Sequence, residues 1–276
     1  MVGGEVLSDE KSLNELTFRD MSGLHIISLG RLHPLKIRKF FWATLLIALL
    51  CYGVILLAIS YENYQTSAWL TMASILKVVF AIQALGTIFF HSKVVAYQFQ
   101  RLQAVWLCLV SIKFPIDFYL FTFFITDRSD FPTEEHILEL FFLAGGILLT
   151  ILFTLYAFGR VRKGCYRNGR TRLYKFQQSE GKIVKFSHYL GPALLAGSSM
   201  KLLFRDGAPS WGPYLILIFT VILQYLVAIG WSEFVLLAYS KFRFKEFILA
   251  NEIQSRSTWY WLVRPIAVLK SFTGWK

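Results

Sequence analysis

Charge is scarce in this 276-residue chain. Asp, Glu, Lys and Arg together make up 17% of it, where an average soluble domain carries about 25%. Cysteine is scarcer still, with three residues, which excludes a disulfide-stapled scaffold. Catalytic signatures are missing. The chain has no Gly-x-Gly-x-x-Gly, no Walker loop, no Gly-x-Ser-x-Gly, no His-Glu-x-x-His and no Cys-x-x-Cys. The five histidines (His25, His33, His91, His136 and His188) include no pair at the four-residue spacing of a helical metal site. No catalytic residue, no metal ligand and no cofactor is therefore assigned, and the balance leans away from an enzyme.

What is abundant is apolar surface. Hydrophobic types reach 55%, with 26 Phe, 13 Tyr and 8 Trp. A membrane span needs about 20 largely apolar residues, because roughly 30 Å of hydrocarbon is crossed at about 1.5 Å per residue. Six stretches qualify: 40–60, 67–90, 102–126, 137–158, 186–204 and 213–240. The fifth is the weakest, with Gly191-Pro192 near its start and Lys201 near its end. The expected fold is all-α: a polytopic membrane protein of six transmembrane helices occupying 40–240.

Basic residues set the orientation. With six crossings, 24 of the 29 Lys and Arg fall on one side, in 1–39, 91–101, 160–185 and 241–276. The opposite side receives only Arg128 and Arg205. Both termini are thus expected inside, facing the cytoplasm of a plasma membrane or the matrix of an organelle. The net charge of +12 then calls for no nucleic acid; its expected partners are the bilayer and anionic lipid headgroups at the basic inner face. The tail 1–39 carries a capping pattern, Ser12-x-x-Glu15, ahead of Leu16, Met21 and Leu24, and reads as a peripheral amphipathic helix. The tail 241–276 reads as a helical continuation of the last span through Phe244, Phe247 and Ile248, followed by an interfacial Trp259-Tyr260-Trp261 segment. The first apolar run starts at Phe40, so no secretory signal is expected.

Ionisable residues inside spans are the strongest pointer to a site, since each charge at mid-membrane costs about 2.5–3.5 kcal/mol on insertion scales. Lys77 lies deep in the second span. In the third, Lys113 and Asp117 share a helix face at four-residue spacing. Pro115 between them removes a backbone donor and frees the carbonyl of Ser111. Glu233 lies toward the inner end of the last span. The stripe Thr71, Ser74, Lys77, Ala81 and Ala84 is small or polar, and is expected to face the bundle, with Lys77 paired to Asp117 or Glu233. Lys77, Ser111, Lys113, Pro115, Asp117 and Glu233 form either a substrate or ion path or a buried structural network. A small transporter or channel-like protein is one reading. A non-catalytic subunit of a larger membrane complex, with partner subunits or a second copy, is the other. An intramembrane lipid-modifying enzyme ranks third.

Overall fold

The computed structural model describes residues 12–61, 67–128, 133–166 and 212–249. Among these residues every regular element is helical. The expected span 186–204, the loop 167–185 and the aromatic segment near Trp259 lie outside them. Two 3₁₀ turns, Leu13–Glu15 and Phe18–Met21, lead into α1 (Ser22–Leu29). Then follow α2 (Pro34–Tyr61), α3 (Ser67–Phe89), the short α4 (Lys93–Gln98), α5 (Gln100–Arg128), α6 (Thr133–Arg162) and α7 (Gly212–Arg243). Five of these, α2, α3, α5, α6 and α7, are long and apolar enough to cross a membrane. In hydrocarbon the backbone has no water to bond, and a helix satisfies its own amides.

α2, α5, α6 and α7 run slightly past their apolar stretches, where end groups find local partners, whereas α3 does not. α2 begins at Pro34, a residue suited to the first helical position because its missing N–H has no helical acceptor there. His33 caps it: its Nδ1 accepts from the Leu35 amide at 3.4 Å, and its carbonyl accepts from Lys36 and Ile37.

Side-chain pairs fix the helix directions. Gln103 bonds the Pro34 carbonyl and Tyr52 bonds Asp117, so α2 and α5 run parallel. Thr44 with Gln83, and Trp42 with His91, make α3 antiparallel to α2. Thr122 with Thr220, Tyr119 with Gln224, Trp231 with Cys108, and Arg101 with Lys241 make α7 antiparallel to α5. Gln224 at Leu143 and Tyr239 at Phe158 make α6 parallel to α7. The α6–α7 approach depends on Gly146, where a Cβ would lie 1.8 Å from the Gln224 amide. Gly86 likewise admits the Trp106 ring of α5 against α3, since a Cβ there would lie 2.3 Å from it.

Two apolar cores fill the bundle. One joins Tyr52, Ile55, Leu76, Phe118, Phe121 and Phe124 between α2, α3 and α5. The other lies at the end where α3 and α6 finish and α2 and α5 begin. There Leu16, Met21, Leu24, Ile27 and Phe247 pack on Phe41, Val161 and Leu236. α1 thus buries its apolar face against the bundle end, with the Gly23 amide donating to the Tyr166 carbonyl at 2.9 Å. The Ser12–Glu15 capping pair forms, with the Ser12 amide donating to Glu15 Oε2 at 3.0 Å, but it opens a single 3₁₀ turn. The last helix does not continue through Phe247 as its spacing suggested. It stops at Arg243, Phe244 turns extended, and a 3₁₀ turn at Lys245–Phe247 inserts Phe247 fully into the core, edge-on to Phe18 and His25. Burying that ring offsets the loss of helical hydrogen bonds. The outer faces of α3 and α6 stay apolar and exposed, as at Leu85 (68%) and Phe141 (71%), as surfaces bathed in lipid would be.

Candidate functional site

The chemistry of α5 is set by its fourth turn. Ser111 is buried and returns its hydroxyl to the Leu107 carbonyl at 2.5 Å. Pro115 stands inside the helix, where its ring displaces the carbonyl of Ser111 and removes one amide. Two residues to either side of it, Lys113 and Asp117 meet. The Lys113 ammonium donates to both oxygens of Asp117, at 2.8 Å to Oδ1 and 2.6 Å to Oδ2. Lysine ahead of aspartate is the weaker order for an exposed pair on a helix. Here a third group supplements it: the Tyr52 hydroxyl of α2 donates to Asp117 Oδ1, and the Tyr52 ring lies 4.9 Å from the Lys113 ammonium. Asp117 is 2% exposed and carries three donors on its two oxygens, while Lys113 retains some exposure. The cluster is electrically neutral, hydrogen-bonded and tied to two helices.

Toward the end where α2 and α5 begin, the same α2–α3–α5 seam holds polar atoms that lack partners among the described residues. Gln83 is buried and its amide nitrogen reaches Thr44 at 3.5 Å, but its Oε1 accepts nothing. Trp106 Nε1 donates to nothing. One such buried group forfeits about 1–3 kcal/mol.

A second polar column lies on the opposite face of α5. Tyr119 donates to Gln224 Oε1 at 2.6 Å, and Gln224 donates to the Leu143 carbonyl at 3.2 Å. Thr122 meets Thr220 at 3.4 Å. Thr126 donates to Glu139 Oε2 at 3.3 Å, with His136 Nδ1 3.7 Å from the same oxygen. Glu139 is therefore turned into the bundle and is 1% exposed. Trp69 closes this end by donating to Asp127 at 2.6 Å.

The structure separates the remaining candidates from this cluster. Glu233 is buried toward the C-terminal end of α7, and its partner is Arg31, from the turn after α1, not Lys77. Lys77 is exposed, and so are Thr71, Ser74 and Ala81. The small and polar stripe of α3 thus looks away from the described bundle. The physical reason is that α3 packs Ala73, Leu76, Gln83 and Thr87 inward, on the opposite side of the helix, to receive α2 and α5.

No family model, no curated protein and no solved structure matches this chain. Its site is accordingly read from its own geometry. Among the described residues no group of three or more His, Cys, Asp or Glu is placed to hold a metal, and Cys51, Cys108 and Cys165 are free thiols. Four participants escaped the sequence reading. Tyr52 sits in a span with no charge, so nothing in its neighbourhood marked it. Gln83 and Trp106 carry no charge at all. Lys241 counted as one more basic residue of the inner tail, yet it is fully buried, donating to Gln100 Oε1 at 3.1 Å.

Proposed function

We propose that this integral membrane protein is a small transporter or channel-like protein whose path follows the α2–α3–α5 seam. The observation that carries the reading is the Tyr52–Asp117–Lys113 cluster at the proline of α5, with unpartnered Gln83 Oε1 and Trp106 Nε1 in the same seam toward the inner end. A helix whose hydrogen-bond ladder is interrupted by proline, beside fixed charges, suits ion or polar-solute binding at mid-depth. Orphaned acceptor and donor atoms suit a path that water or a polar solute visits.

Six crossings with both termini on the basic side complete this reading. α6 and α7 run parallel, and α7 is 32 residues long, roughly 48 Å at about 1.5 Å per residue. Parallel α6 and α7 support a crossing between them, and the apolar stretch 186–204 is long enough in sequence for one.

A structural reading has its own observation: every oxygen of Asp117 is bonded, which is how a charge serving only to lock two helices would look. Accessibility separates the two. In a variant with Cys51, Cys108 and Cys165 replaced by Ala, Gln83→Cys and Lys113→Cys are introduced singly and challenged in proteoliposomes with a membrane-impermeant thiol reagent. Modification from one or both faces is expected on the path reading. Inert thiols at both positions, beside a reactive control at Lys245→Cys, would leave the structural reading.

A further inference from the structure

At the inner end, the start of α5 and the end of α7 flank a groove of about 490 Å³, within the range of roughly 300–1,000 Å³ of ordinary ligand sites. Its walls are chiefly Phe99, Leu102, Phe242 and Ile248, all with substantial exposure, and its polar groups are Gln98, Gln100 and Arg101. None of these is acidic. An apolar groove with a basic rim, at the level where the spans leave the hydrocarbon, matches one class of molecule in both its parts.

Two basic groups are arranged around it. Arg101 is anchored through Nε, which donates to the Lys241 carbonyl at 3.0 Å, and its guanidinium lies 5.8 Å from the Phe242 ring centre. Its two terminal nitrogens hydrogen-bond to no described residue, leaving the planar edge of the guanidinium, which suits two oxygens of a phosphate. Behind it lies Lys241, 0% exposed. Its ammonium donates to neutral Gln100 Oε1, and no described carboxylate stands within 4 Å of it. Gln100 is itself held by the backbone of Leu249, donating to its carbonyl at 2.6 Å and accepting from its amide at 3.1 Å. A buried cation without a counter-charge is costly, and an anion nearby repays it.

We infer that this groove binds an anionic phospholipid, its phosphate on the free edge of Arg101 within the field of Lys241, and an acyl chain along Phe99, Leu102 and Phe242. The inference rests on the membrane placement of the chain and is independent of whether the α5 cluster conducts anything. The occupant is a lipid rather than free phosphate because the lining is mostly aromatic and aliphatic.

The test uses the full chain in nanodiscs of phosphatidylcholine containing a minor fraction of phosphatidylglycerol, with native mass spectrometry counting retained lipids. Wild type is expected to retain phosphatidylglycerol selectively. Arg101→Gln is expected to weaken that preference about tenfold, the scale of a lost hydrogen bond to a charged group. Lys245→Gln, which removes an exposed charge outside the groove, is expected to leave it intact. Equal retention by Arg101→Gln and wild type would overturn the site. So would an equal loss with Lys245→Gln, which would mean diffuse attraction, or displacement by millimolar inorganic phosphate, which would mean a free-anion site. Absence of any preference in wild type would mean that protein, not lipid, fills the groove. Failure to enter phosphatidylcholine nanodiscs at all would instead refute the membrane placement on which the inference stands.

Discussion

Replacing Asp117 by Asn removes one charge and keeps the shape. The variant leaves the Lys113 ammonium beside the Tyr52 ring, without the 2.6 and 2.8 Å contacts that neutralise it. Removing one partner of a buried pair typically costs about 3–5 kcal/mol. Lys113 keeps 18% of its side chain exposed, so part of this is relieved by reorientation, and a loss of about 3 kcal/mol is expected. Lys113→Met on the Asp117→Asn background removes the stranded charge, and should restore about 2 kcal/mol of that loss. The residue of about 1 kcal/mol belongs to the hydrogen bond from Tyr52, which the Asn oxygen accepts less strongly. Tyr52→Phe alone should therefore cost about 1 kcal/mol. The assay is equilibrium unfolding in mixed micelles, with the coupling read from a double-mutant cycle. Additive losses for the two substitutions would show that the pair carries no interaction energy and refute the reasoning. Recovery of stability to that extent without recovery of solute flux would place the charges in a path; recovery of both would make them purely structural.

Three further outcomes are expected. Gly146→Ala should destabilise by about 2–3 kcal/mol, the scale of overpacking, because its Cβ collides with Gln224; Gln224→Ala added to it should recover part of the loss in the same unfolding assay. His33 is half-buried, and burial first, then Lys36 and Lys241, hold its pKa below the ordinary 6.5. The unfolded chain thus takes up a proton before the folded one does, so stability should be level above pH 6.5 and fall as pH drops below it. His33→Asn, which keeps a capping oxygen, should flatten that part of the profile. Single cysteines at Asp127–His136 and Arg160–Lys185 should label from opposite faces of sealed vesicles; labelling of both from one face would reject six crossings.

The lengths of the spans were legible because hydrophobicity over about 20 residues is a local property. Which side of each span faces protein was not. Lipid-facing and bundle-facing surfaces are equally apolar, so the small and polar stripe of α3 gave a misleading direction: small residues permit close approach but do not demand it. The shared helix face of Lys113 and Asp117 was readable from their spacing, but their pairing was not, since lysine ahead of aspartate is the weaker order; Tyr52, 65 residues from Asp117, and Arg31, 202 residues from Glu233, come together only through topology. The burial of Lys241 was hidden for the same reason. A basic residue beside Arg243 and Lys245 has the pattern of a solvated tail, and only the docking of Gln100 and Leu249 over it closes it off.

The position of α7 has a consequence for biosynthesis. Tyr119, Thr122 and the carbonyl of Leu143 receive their partners from α7, and Phe18 and Met21 of the N-terminal segment dock on Phe247 and Ser240. The earlier helices therefore leave the ribosome with Tyr119 and the Leu143 carbonyl lacking these partners and with their leading segment unseated. Full assembly has to wait for α7. Until it arrives, the nascent chain is a substrate for whatever holds, or destroys, incomplete membrane proteins.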